Sequence, residues 1–189
     1  MNKETLASLL RDNHAAFLAE IGSLTDEALC FAPEGKWSAL QQLDHIVRAV
    51  KPVTLAFSMP KFILQWRFGT ANRSSRFYEQ LVEKYKRKLS EGGRASGPFV
   101  PPVSAAQHKK ELVKKLPELV ASLARKPSSC SEKTLDRFIL PHPLLGKLTL
   151  REMLYFTAYH VQHHHQLVVE GLKMQREERP GPVQNVASS

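Results

Sequence analysis

Four histidines, His160, His163, His164 and His165, crowd into the stretch TLREMLYFTAYHVQHHHQLVVEGL at 149–172. Residues four apart on an α-helix share a face, with Cβ atoms about 5–6 Å apart, so His160 and His164 can turn two imidazoles onto one cation. His163, three residues after His160, is an alternative to His164, whereas His165 points away from both and is expected to face solvent. A third ligand must come from another segment. The best candidate is His45, in GKWSALQQLDHIV near the other end of the chain.

Three neutral imidazoles without a carboxylate beside them suit a divalent metal, zinc or nickel, and leave a coordination position open for water or substrate. A structural zinc site is normally closed by four ligands. An ion held in this way lowers the pKa of bound water or thiol and polarises a carbonyl. The competing reading is that His160 and His164 bond to core polar groups with no metal, since a buried imidazole must satisfy its nitrogens somehow. No general base can be assigned: Asp44 adjoins His45 but projects about 100° around the helix. Among the other histidines, His14 reads as a packing or surface residue, His108 as surface and His142 as a turn residue.

Several helices must position these rings. Leu6, Leu9, Leu10, Phe17, Leu18 and Ile21 repeat at helical spacing over 3–21. The segment 22–36, with Thr25, Pro33 and Gly35, breaks that pattern and reads as an irregular connection with one short turn. Ser38 then caps a second helix, with Gln41 completing a capping box; Pro52 should kink that helix or end its regular part near Lys51. PKFILQWRFG at 60–69 reads as a short helix or a lid near the site. A lysine-rich helix is expected over 74–90. The glycines and prolines of 92–102 mark a loop that Phe99 pins down. Ser104 is expected to cap a helix that runs to about Arg125, with Pro117 kinking it or marking its true start. Leu135–Leu140 is a short apolar stretch leading to a turn at 142–146. Thr149 caps the last long helix, with Glu152 as its capping-box partner. On that helix Met153, Thr157, His160, His164, Leu167 and Gly171 form an inward seam. No alternating strand pattern and no repeat is visible, so the class is all-α.

The chain has 189 residues, which suits one domain over 1–175 and a flexible tail over 176–189. Neither the N-terminus nor any later stretch offers the roughly 20 apolar residues of a membrane span, so no membrane is expected. Cys30 and Cys130 form no CxxC pair, which fits a reducing compartment, read as the cytoplasm. The formal charge of +9 comes from 27 basic and 18 acidic residues. Its clusters, at 84–88 and 108–115, read as solvated helix faces. No aromatic residues alternate with the second cluster, so nucleic acid ranks behind a plain basic surface and behind steering of an anionic small molecule.

GKWSALQQLDHI followed by HPLLGKLTLREMLYFTAYHVQHHH resembles the DinB/YfiT-like superfamily of four-helix-bundle metalloproteins. The matched elements are the Trp37-Ser38 helix start, His45, the His-Pro, Gly and Leu-Thr elements at 142–149, and two histidines four apart. The resemblance implies a four-helix bundle, with extra helices or loops between its second and third helices, and the ligand set His45, His160 and His164. It covers roughly 30–175 through its two ends. Gln41 departs from the family, which often has glutamate there. Members include bacillithiol-type S-transferases, a mycothiol-dependent isomerase and metal-dependent hydrolases. The expectation is therefore a metal-dependent enzyme acting on a small molecule, with a low-molecular-weight thiol as a conceivable second cofactor held by Lys61, Arg67 or Arg73. The alternative is a non-catalytic ligand-binding or regulatory bundle with a structural or vestigial metal site. A homodimer and a monomer both stay open.

Overall fold

In the computed structural model the described residues are 1–103 and 106–178. Four long helices carry the core: α1 (Lys3–Ser23), α3 (Ala39–Ser58), α6 (Lys109–Arg125) and α8 (Leu150–Glu178). Helix α1 packs on α6 and α8, and α3 packs on the same two, so the order around the bundle is α1, α6, α3, α8. The first two long helices in the chain therefore lie diagonally across the core, and the second becomes a neighbour of the last. That arrangement puts His45 beside the histidines of α8. Short helices decorate the bundle: α2 (Asp26–Cys30), α4 (Lys61–Phe68), α5 (Tyr78–Ser90), which leans on α8, and α7 (Glu132–Arg137).

Local chemistry explains the ends of α3. A turn closed by Lys36 N–H donating to the Pro33 carbonyl, with Gly35 at φ +67°, brings the chain round to Trp37. Ser38 Oγ accepts from Gln41 N and the Gln41 side chain accepts from Ser38 N, the reciprocal cap expected from the sequence. Pro52 does not end this helix: α3 continues unbroken to Ser58. Pro117 is likewise interior to α6. The expected cap at Ser104 lies outside the described residues. So does most of the expected tail, although α8 itself continues through 176–178.

Two features differ from the sequence expectation. A two-stranded antiparallel hairpin, β1 (Ile139–His142) and β2 (Gly146–Thr149), precedes α8 where only an apolar stretch and a turn were expected. Four-residue strands, one containing Pro141, are too short to display a period of two, and their pairing is set by contact with α7 and α8. The second difference is the helical turn α7, capped by Ser131, in a stretch that carried no helical signal; the one short turn expected within 22–36 is α2, capped by Thr25.

At the start of α8, Thr149 Oγ1 accepts from Glu152 N while Glu152 accepts from Thr149 N at 2.9 Å. Glu152 is fully buried and also takes a two-point bond from Arg73 (2.7 and 2.8 Å) and bonds from Arg76 N and Nη1. Burial alone would push its carboxyl pKa up, yet these donors outweigh burial and hold it below the ordinary value. One carboxylate thus caps α8 and fixes the extended segment that leads into α5.

Candidate metal centre

Gln42 of α3 lies beside His164, and His45 of α3 beside His160. Rising numbers on α3 meet falling numbers on α8, so the two helices run antiparallel. Their facing sides bring three imidazoles together, each no more than 6% exposed. His160 Nε2 lies 3.2 Å from His45 Nε2 and 3.0 Å from His164 Nε2. A tetrahedral ion with bonds of about 2.0–2.1 Å needs ligand nitrogens about 3.3 Å apart, so this spacing matches a shared cation. His45, His160 and His164 form a group whose ligand atoms lie within 4.8 Å of one another.

The other ring nitrogens fix the tautomers. His45 Nδ1–H donates to the carbonyl of Phe99 at 2.6 Å, and His164 Nδ1–H donates to Gln42 Oε1 at 2.5 Å. With Nδ1 protonated in both neutral rings, each must present a bare Nε2 lone pair toward His160. A proton on His160 Nε2 can aim well at only one of them. Protonating the rings instead is disfavoured: burial is the leading cause lowering the pKa of all three, with the neighbouring imidazoles adding to it at His160 and His164. Neutral rings, converging lone pairs and oxygen acceptors behind two of them are the donor set a divalent cation requires.

The ring of Trp37 stands 5.1 Å from that of His45 and stacks at 6.3 Å on that of His164, walling one side. Phe156 stacks on His160 at 4.6 Å, and Tyr85 of α5 meets its edge at 6.0 Å. A cavity of about 870 Å³ opens beside the three rings. No aspartate or glutamate is among the described residues that line it. Tyr85 is among them, and burial pushes its phenol pKa up, so the hydroxyl stays protonated.

The remaining histidines separate from the trio. His163 is half-buried, lines the cavity and packs its ring edge-on to Tyr85, while His164 takes the place in the cluster. His165 turns away as expected but is only half exposed, its ring against Phe17 of α1. His142 is the turn residue the sequence suggested: its Nδ1 accepts from the backbone N–H of Leu144 and Leu145. His108 is exposed. His14 is buried in α1, where Nδ1 donates to the Leu10 carbonyl and Nε2 has no partner. Asp44 pairs with Arg48 and stays off the cavity lining.

Sequence reasoning missed Gln42, although a position three before His45 lies on the same helical face. Gln41, the position where the family often has glutamate, is used as a cap instead. The carbonyl of Phe99 carries no side-chain signature and only its loop was legible. The three basic residues expected at the mouth do not line the cavity: Arg73 is held by Glu152, Arg67 lies over the Phe68 ring, and Lys61 reaches the Phe57 carbonyl. Lys36 and Arg94 line it in their place.

The sequence pattern of the DinB superfamily matches residues 9–168. No curated protein matches the chain. Among solved structures, one described as "YfiT from Bacillus subtilis is a probable metal-dependent hydrolase with an unusual four-helix bundle topology" superposes with a TM-score of 0.59. The identity is 17%, over 92% of this chain and 87% of that one, a likeness of fold.

Proposed function

Because this chain belongs to the DinB superfamily, we propose that it is a metal-dependent enzyme of hydrolase type, with a divalent ion, zinc or nickel, held by His45, His160 and His164. The observation that carries this reading is the convergence of the His45 and His164 Nε2 atoms on that of His160, at 3.2 and 3.0 Å, both with Nδ1 committed to oxygen acceptors. An ion bound there supplies Lewis acidity and activates water, or a low-molecular-weight thiol in the S-transferase variant of the reading.

The protein's own residues do the rest. Gln42 and the Phe99 carbonyl hold the His164 and His45 rings in one tautomer. Trp37, Phe156 and Tyr85 keep the three rings away from bulk water, so the site stays neutral and poorly screened. The protonated Tyr85 hydroxyl is a donor on the cavity wall. No carboxylate lines that wall among the described residues, which leaves the neutral imidazoles of His142 and His163 as its side-chain proton acceptors outside the trio.

Elemental analysis of untreated protein is the direct test: about one divalent ion per chain is expected, and less than a tenth of that in His160→Ala. Metal-replete protein should then turn over ester, amide or thiol-acceptor substrates from a panel, and chelated protein should not. The missing carboxylate also favours a second reading, a non-catalytic ligand-binding bundle whose metal is structural. Stoichiometric metal that raises the melting temperature, with no turnover under any metal or thiol, would select it.

A further inference from the structure

The cavity is far longer than three histidines need. Its wall along α8 runs from Met153 to Gly171, eighteen residues and therefore roughly 27 Å at the helical rise of about 1.5 Å per residue. The histidine cluster sits midway, seven residues or about 10 Å from either end. Since α3 runs antiparallel to α8, the two arms have separate linings. Toward the hairpin the wall includes Val53 and Ala56 of α3, Phe68 of α4, Leu140 and His142 of β1, and Met153 and Phe156 of α8. Toward the other end it consists of Pro33, Gly35, Lys36, Trp37, Leu167 and Gly171.

The charge on the lining is one-sided. Lys36 and Arg94 are its cations, and no carboxylate lines it among the described residues. The Lys36 ammonium rests 3.4 Å from the thioether sulfur of Met174, a partner that leaves its charge uncompensated. It therefore marks the far end of the Trp37 arm as the place for an anion, while the Val53–Phe68 arm is apolar apart from the His142 imidazole, which burial keeps neutral.

From this asymmetry we propose that the cavity binds an elongated anionic amphiphile. Its acidic head lies at Lys36, its hydrocarbon body extends past the histidines into the Val53–Phe68 arm, and its reactive group is internal rather than terminal. This deepens the metal-dependent reading of the same site, yet binding of the body and head does not require the ion. The two ideas can therefore fail separately.

The test is equilibrium binding of straight-chain carboxylates from octanoate to hexadecanoate, read by Trp37 fluorescence. A Trp66→Phe background removes the second indole, which is 84% exposed and off the cavity lining. Zinc-loaded protein is compared with chelated protein whose helicity has been checked by circular dichroism. Affinity is expected to rise by up to about fourfold per added methylene, the ratio for complete burial of each, and to do so with or without zinc. The carboxylate is expected to bind at least tenfold tighter than the alkyltrimethylammonium ion of equal chain length. Lys36→Glu should abolish that preference, and Ala56→Trp should flatten the chain-length series at its long end. The wild-type series alone decides the matter if Ala56→Trp does not fold. Equal affinity for the two head groups, a flat series, or binding only when zinc is present would overturn the proposal. Loss of metal in His160→Ala with the series intact would support it, and absence of metal from the native protein would instead sink the enzyme reading.

Discussion

At the residue scale, two polar groups decide how well the trio can grip an ion. Gln42 and the Phe99 carbonyl hold rings that would otherwise rotate, and removing such a partner commonly weakens metal binding about 10–100-fold. Gln42→Leu should therefore keep its helicity and lose zinc affinity by that factor in a competition assay with a fluorescent chelator. His14 gives an independent residue-scale prediction. Burial lowers its pKa from 6.5 to about 4, so the folded protein binds fewer protons than the unfolded chain between those values. Stability is then full above pH 6.5 and falls as pH drops toward 4, by about 3 kcal/mol in all at 1.36 kcal/mol per unit. His14→Leu should flatten that part of the acid limb in urea titrations. At pH 7 it should cost no more than about 1 kcal/mol, the Nδ1–H bond to the Leu10 carbonyl, because the Nε2 it also removes has no partner. The histidine spacing, and His45 as the distant third member, were legible because side-chain identity and helical period are local facts. Gln42 was legible in principle, being on the His45 face. The partner of Arg73 was not, because a buried carboxylate 79 positions away leaves no mark near it in the sequence.

At the element scale, the capped starts of α3 and α8 were readable because Ser38-Gln41 and Thr149-Glu152 satisfy backbone donors within one turn. The hairpin was not, since it is defined by what it rests on; the strap at 91–103 was legible as a loop from its glycines and prolines, but its hold on His45 through the Phe99 carbonyl was not. Glu152 joins the two kinds of information: it caps α8 and also collects Arg73 and Arg76. Glu152→Ala should destabilise the protein by roughly 2–4 kcal/mol, below the largest values for buried pairs because the two arginines are about a third exposed. The sign with pH follows from its lowered carboxyl pKa. The stabilisation is present above the ordinary value of 4.5 and is lost as pH falls below it through the folded value, whereas the His14 loss already begins at 6.5. Comparing acid unfolding of the two variants should resolve the windows. Gly93 tests the strap. A Cβ there would stand 2.5 Å from the Lys88 carbonyl oxygen and 3.2 Å from Leu144 Cδ2, so Gly93→Ala must shift backbone. A drop of several degrees in melting temperature is expected, with weaker zinc retention because the same segment carries Phe99.

At the scale of the whole molecule, the ring order α1, α6, α3, α8 is what makes distant parts of the sequence neighbours. Periodicity identified each of these helices, but nothing local says that the first two lie diagonally. Their juxtaposition was inferred only because His45 needed partners. No helix among the described residues is long and apolar enough to cross a membrane. If the trio binds an ion only in the folded state, zinc at a hundred times its dissociation constant adds about 2.7 kcal/mol of stability. Calorimetry should show that rise in the native protein and its absence in His160→Ala.

The bond from His45 to the Phe99 carbonyl ties the grip to the roof above it. Arg48 Nη1 adds a second strand to that tether by donating to the Pro98 carbonyl. Residues 93–96, Phe99 and Val100 of that loop also line the cavity, so the segment that would steady a metal-bound His45 ring is the same one a guest would touch.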